Sequence, residues 1–352
     1  STHLPEGPGL YLFRDVSGNV VYIGRAKDLR TRVRSHFYGP VESDDGHAER
    51  TSSIDHVPCA SRLDSLLLES RLMDRYRPRY NRNCHGLKSP LYVHVDPEHE
   101  YPVFRVTRRR YRSGVLLGPV TNEWAATTLV AAVAVEFRLR HCARSREACA
   151  ARRCARRTSG QCVGVLGAGP SAEYRRRVHE AIGVFNGEAP RFRARLDRQR
   201  ERAVAEERYE DAIRYRDAGR ALDRTLAALA MSARATHEPV VAVIEGDQAG
   251  IAVHVVVQGW LHTTLRFSRD EVAQPETEAM VLRALSRARQ RSSRAVPMTP
   301  RRLRDMTIID AYRQEHRPQS VAVTDDVQAA ARSVASIIRR MTRVPKKRHG
   351  DV

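Results

Sequence analysis

The sequence predicts an α+β protein of several domains, in which a β-hairpin comes first, a long charged helical stretch crosses the middle and strands return in the last third. Three observations carry this. Aromatic and β-branched runs at residues 9–13 and 20–23 flank a polar turn; residues 191–230 hold no proline and one glycine; and residues 240–244, 251–257 and 260–267 are apolar runs separated by turn residues. A length of 352 residues allows two to four domains.

The elements follow in order. Residues 14–19 join the first two runs into a hairpin. Behind Asp28, the side chains of Leu29, Val33 and Phe37 recur at helical spacing, with Arg25, Arg30, Arg32, Arg34 and His36 on other faces, giving a helix with a basic side. Residues 41–55 are polar and acidic and read as a loop. Leucines at helical spacing run through 62–76 until Pro78 stops the helix. Short strand runs lie within 91–106 and around 114–117, followed by helices at 124–137 and from Pro170 onward. Residues 191–230 read as two helices folded back near Glu206-Glu207-Arg208, and helices at 278–289 and 327–341 cover the terminal strands.

Lys+Arg is 61 against Asp+Glu 41, a net charge of +20, and all but Lys27, Lys88, Lys346 and Lys347 of the basic side chains are arginine. Arginine holds its charge and binds phosphate through a planar fork, so the surplus favours nucleic acid over a small neutral ligand, although codon composition also biases chains toward arginine. The chain has no apolar run of about 18 residues and no basic-then-apolar leader, from which we expect a soluble, cytoplasmic protein. Six cysteines are too few for a secreted disulfide framework.

Glu69 is the carboxylate that stands out. It falls three residues after Leu66 and four before Met73, on their apolar face, where an unpaired charge costs several kcal/mol by order of magnitude. Its partner is either a metal ion or a nearby arginine. Tyr11 and Tyr22 sit on adjacent strands beside Arg32, either as half-buried packing residues or with both hydroxyls aimed at one site. A phenol, with an ordinary pKa of about 10, acts at neutral pH only with cations or a metal-bound water nearby. Cys142, Cys149, Cys154 and Cys162 lie in a segment with seven arginines; they suit zinc, an iron–sulfur cluster or free thiols in a basic loop.

Gly9-Leu10-Tyr11 with Tyr22-Ile23-Gly24 resembles the two-part signature of the GIY-YIG nucleases. The continuation Arg25-Ala26-Lys27-Asp28-Leu29, Arg32-Val33 and Phe37, then Leu66-Leu67-Leu68-Glu69, residues 77–81 and Lys88-Ser89, is similar to the UvrC/Cho excinuclease branch. The resemblance implies a metal on Glu69, water activation by Tyr22 with Tyr11 as companion, Arg32 as transition-state cation and Asn81 as a supporting amide. It also implies DNA contacts along Lys27, Arg30, Arg34, His36 and Lys88. Two departures stand out: Arg25 where the branch commonly has lysine, retaining charge without lysine's proton, and His36 where it has tyrosine. His36 is either a substitute for that hydroxyl or a surface histidine.

The same resemblance divides the chain into a nuclease domain at 1–95, a linker region with the cysteine-rich segment at 96–190, a UVR-like helical hairpin at 191–232 and a C-terminal α/β domain at 233–352. The hairpin resembles a motif that pairs with a UvrB-type helicase, through Tyr209, Glu210, Ala212 and Arg216. The last domain resembles a degenerate RNase H-like fold with no recognisable second active site. The expected function is therefore one metal-dependent incision, with Mg²⁺ or Mn²⁺, near a lesion in nucleotide excision repair. The competing expectations are a non-catalytic DNA-binding and partner-docking protein and a metal or redox sensor on the cysteines. The start at Ser1 suggests excision from a longer protein in which a proofreading-type exonuclease precedes this part, as in some relatives.

Overall fold

A computed structural model of the chain describes residues 4–5, 7–38, 49–59, 61–81, 89–140, 142, 155–159, 161–162, 172–246, 250–268, 271–273, 275–293 and 297–343. Its elements are β1 (Gly9–Arg14), β2 (Val20–Ala26), α1 (Leu29–Tyr38), β3 (Ser53–Pro58), α2 (Arg62–Tyr76), β4 (Leu91–Val95), β5 (Arg105–Thr107), β6 (Val115–Val120) and α3 (Glu123–Glu136). After a single helical turn at Ala155–Thr158 come α4 (Ala172–Phe185), α5 (Pro190–Ala205), α6 (Tyr209–His237), β7 (Val240–Gly246), β8 (Ile251–Val257), β9 (Trp260–Phe267), α7 (Pro275–Ser292), α8 (Pro300–His316), β10 (Gln319–Ala322) and α9 (Val327–Arg343). Helices and antiparallel sheets are segregated along the chain, which makes the fold α+β. By internal contact it divides into two compact units, Ser1–Lys88 with Arg234–Val352, and Ser89–Ala233.

In the first unit β1 is the centre of a three-stranded antiparallel sheet ordered β2-β1-β3. The strand β3 lies partly in what the sequence reads as a loop. Five of its six residues are exposed, so it carries no apolar alternation, and its pairing with β1 rather than its own pattern makes it a strand. Helix α2 starts at Ser61, whose Oγ accepts a hydrogen bond from the Asp64 amide at 3.0 Å, and ends where Arg77 turns left-handed (φ 45°) before Pro78.

The second sheet of this unit is ordered β10-β7-β8-β9 and is covered on both faces. Val240, Ala242 and Ile244 share a core with Val281, Leu285, Val334 and Ile338 of α7 and α9. Val241, Val243, Val256 and Leu261 share another with Ile309 and Tyr312 of α8 and with Leu63 and Leu67 of α2. Burial on both faces explains why β8 is apolar at nearly every position. The sequence reading has no helix at 300–316. Of the five buried residues of α8, Arg302 and Asp305 are charged, which hides its apolar stripe.

The other unit builds a single core from the sheet β5-β4-β6, helices α3 and α4 and the α5–α6 hairpin. The two hairpin helices run antiparallel. Arg193 on α5 pairs with Asp223 and donates to the Gly219 carbonyl at 3.2 Å on α6, while Phe192 and Leu196 share the core with Ala218, Ala221 and Leu222. The chain reverses at Glu206–Arg208, with Glu207 at φ 56°.

Candidate active site

The hairpin register fixes the two tyrosines. Tyr11 stands opposite Gly24, and Tyr22 opposite Phe13, so both rings lie on one face with centroids 6.1 Å apart. Tyr11 is 1% exposed, and its ring passes over Gly24: a Cβ there would sit 2.3 Å from the Tyr11 hydroxyl and ring carbon. The second glycine of the signature is therefore the space that the first tyrosine occupies. Burial, with the nearby Tyr22 adding and Arg32 opposing, pushes the Tyr11 phenol well above its ordinary range. At neutral pH it keeps its proton.

Helix α2 brings Glu69 to the same face. Arg25 on β2 donates from Nε to Glu69 Oε2 at 2.5 Å. The arginine partner that the sequence leaves open is thus present. It does not fully compensate, because burial raises the Glu69 carboxyl above its usual range with Arg25 opposing. Asn81 staples β2 from outside, accepting from the Ile23 amide at 2.9 Å and donating to the Ile23 carbonyl at 2.8 Å, as a neighbouring strand would. It reaches there because Tyr80 donates its amide to the Val21 carbonyl at 3.1 Å.

These residues meet. Tyr11, Tyr22, Arg25, Lys27, Arg32, Glu69 and Asn81 all line one open cavity of about 1140 Å³. Among the described residues its lining has no histidine or cysteine, and no group of three or more His, Cys, Asp or Glu is placed to hold a metal. Glu69 is a carboxylate whose desolvation outweighs its ion pair to Arg25, and it stands beside phenol hydroxyls and open solvent, with Asp28 and Glu245 elsewhere in the lining. That fits a hard divalent ion that keeps most of its waters.

The remaining predicted residues are divided. Arg30 donates to the Leu4 carbonyl at 3.2 Å, and Arg34 is exposed but outside the cavity lining. Lys88, Cys149 and Cys154 lie outside the described residues, while Cys142 and the buried Cys162 are in no disulfide. His36 corrects its surface reading: it is half-buried, packs against Tyr11, Phe13 and Tyr22, and its Nε2 lies 2.7 Å from the Tyr11 hydroxyl. It stands where a hydroxyl partner for Tyr11 is needed. On the hairpin, Tyr209, Glu210 and Arg216 are exposed but Ala212 is buried. The exposed apolar residues there are Tyr209, Ile213 and Val204, of which the sequence reading names only Tyr209 as a partner contact.

The cavity also has a wall that no local motif announces. Glu245 and Gly246 at the end of β7, Tyr312 on α8 and Ser61 and Arg62 at the start of α2 complete its lining. The start of α2 and the end of β7 are separated by more than 180 residues. No spacing rule connects them.

Comparison with known proteins agrees with this architecture at the level of family. The model of the UvrC-like GIY-YIG domain matches residues 7–82, and that of the UvrC/Cho excinuclease middle domain matches residues 91–184. Among curated proteins, UvrABC system protein C of Desulforudis audaxviator is 30% identical over 301 residues, covering 84% of this chain and 48% of the relative. That of Methanococcoides burtonii is 32% identical over 226 residues, covering 61% of this chain and 37% of the relative. The chain thus spans less than half the length of these two. The solved GIY-YIG N-terminal endonuclease domain of UvrC from Thermotoga maritima, bound to magnesium, is 33% identical, covering 22% of this chain and 88% of that one at a TM-score of 0.21. With both signature tyrosines, Glu69 and Asn81 inside the first matched segment and a second matched segment directly after it, the chain belongs to the UvrC/Cho excinuclease family.

Proposed function

We propose that the protein is a metal-dependent DNA endonuclease that makes a single incision near a lesion during nucleotide excision repair in the cytoplasm. The observation that carries this is the convergence of Tyr11, Tyr22, Arg32 and Glu69 on one cavity around a carboxylate whose desolvation outweighs its ion pair. Glu69 would hold one Mg²⁺ or Mn²⁺ ion, which when bound polarises the scissile phosphate and acidifies water. Tyr22 orients and helps deprotonate the attacking water. Tyr11, kept protonated by burial, acts as a hydrogen-bond donor, and His36 holds its hydroxyl in place. Arg32 neutralises charge that develops on the phosphate, and Lys27 and Arg62 extend the positive lining for the DNA backbone. Arg25 screens Glu69 and cannot donate a proton in the way lysine can. The α5–α6 tip, with Tyr209, Ile213 and Val204 exposed, would dock a UvrB-type helicase.

The test is cleavage of an end-labelled duplex carrying one bulky lesion, with Mg²⁺ or Mn²⁺, with and without a UvrB-type helicase. Nicking that needs the metal and disappears in Glu69→Ala is expected; retained DNA binding with no nicking under any condition would transfer the proposal to a docking role. The cysteine segment is proposed as a second metal site, for zinc or an iron–sulfur cluster. Metal analysis and absorption spectra of anaerobically purified protein are expected to find one of the two, and finding neither removes that site.

A further inference from the structure

A buried polar cluster lies where β7, β8 and α8 meet the start of α2. His254 on β8 is fully buried, and its Nε2 lies 2.9 Å from Ser61 Oγ and 3.3 Å from Glu245 Oε2, with Thr264 Oγ1 3.1 Å from its Nδ1. Glu245 Oε2 accepts from the Leu63 amide at 3.2 Å, and Tyr312 donates its hydroxyl to Glu245 Oε1. Ser61 is at the same time the cap of α2. The first turn of the helix that presents Glu69 is therefore capped twice. One cap is its own serine, and the other is a carboxylate supplied by the C-terminal sheet, at the helix end where negative charge is favoured.

Ion pairs repeat the connection along the helix. Arg266 donates to Asp64 at 2.6 Å, Arg304 to Asp74 at 3.0 Å and Arg71 to Asp305 at 3.5 Å. Leu63 and Leu67, at or below 1% exposed, are buried in the C-terminal core rather than in the nuclease sheet. Glu69 lies about 10 Å along the axis from the capped turn, at the 1.5 Å rise of an α-helix. Rotation or translation of that turn carries the carboxylate with it.

We infer that Glu245, Tyr312 and His254 are positioning residues for Glu69, so that the C-terminal domain holds the metal-binding helix in register and forms one wall of the nuclease cleft. A domain in which, among the described residues, no group of three or more His, Cys, Asp or Glu is placed to hold a metal thereby becomes part of another domain's site. The inference rests on the proposed nuclease activity.

The experiment uses the full chain, with Glu245→Gln, Tyr312→Phe, Ser61→Ala and the conservative Ser61→Thr, and the distant Arg289→Ala as control. Metal-dependent nicking is followed as a function of both DNA and Mn²⁺ concentration, and each variant's unfolding is recorded beside it. Glu245→Gln and Tyr312→Phe are expected to lower kcat about tenfold or more and to raise the Mn²⁺ concentration needed for half-activity, while KM for DNA stays within about twofold. Ser61→Thr should recover what Ser61→Ala loses. Folded Glu245→Gln and Tyr312→Phe proteins with unchanged kcat and unchanged Mn²⁺ dependence would overturn the inference, as would an equal loss in Arg289→Ala. If one variant fails to fold, the others and the serine pair still decide. Absence of nicking in the unmodified chain sinks the nuclease reading instead, an outcome distinct from all of these.

Discussion

Glu69→Gln is expected to unfold at a higher temperature than the unmodified protein while losing metal-dependent cleavage about 10³-fold or more. The two effects share one cause. Glu69 is only 22% exposed, and burial lifts its carboxyl above the ordinary range despite the Arg25 ion pair. A carboxyl whose folded pKa exceeds its unfolded one binds a proton more tightly when folded. Its ionised form therefore weakens the fold at neutral pH, and the penalty fades as pH falls through the folded value. Glutamine keeps the shape without the charge, and Arg25, itself more exposed, returns to solvent. The gain is about 0.5–1 kcal/mol, about one to two degrees of midpoint, and should shrink as the pH is lowered. Mn²⁺ should raise the midpoint of the unmodified chain and leave that of Glu69→Gln unmoved, because only a folded state that binds ligand is stabilised by it. Melting curves across pH, with and without metal, check every part. A lower midpoint in the variant at neutral pH would show that the ion pair outweighs the desolvation.

Gly24→Ala is expected to cost about 2–3 kcal/mol and to reduce nicking 100-fold or more. The added methyl would begin 2.3 Å from the Tyr11 ring, which has no room to withdraw because His36, Phe13 and Tyr22 pack around it. Either the ring leaves its position or β1 and β2 separate. Gly9→Ala, by contrast, meets the Val57 carbonyl and Leu29 and disturbs the edge pairing and α1 rather than the tyrosine. Chemical denaturation together with the nicking assay separates the two. A Gly24→Ala protein with unmodified stability and activity would mean that the hairpin adapts.

The parts of the site that lie within one stretch of chain were legible in the sequence, and the parts assembled across it were not. The tyrosines, Arg32 and the α2 leucines follow from strand alternation and helical spacing, which are local properties. The Arg25–Glu69 pair was one of two partners that the sequence allowed, and choosing between them needed the β2–α2 contact. His36 was open between a hydroxyl substitute and a surface histidine, because a histidine on a basic helix looks like a surface residue until the sheet beneath it is built. Strand β3 escaped because an exposed edge strand has no pattern of its own, and α8 because it buries Arg302 and Asp305 among its apolar residues. Glu245 and Tyr312 were beyond reach for a different reason. Their role exists only once a strand and a helix near the end of the chain meet a helix near its start.

That long-range junction has a consequence during synthesis. Leu63 and Leu67 leave the ribosome early, but the surface that covers them is complete only when Ile309 and Tyr312 have been made. At 5–20 residues per second, the roughly 240 intervening residues take on the order of ten to fifty seconds. Until then the Leu63 and Leu67 side of the Glu69 helix lacks its full cover, although Leu72 and Met73 already pack on β1 and β2, while the intervening segment folds around its own core. Nascent chains of this protein should therefore be substrates for chaperones that recognise exposed leucine, and the cleft should mature only once the chain has emerged as far as Tyr312.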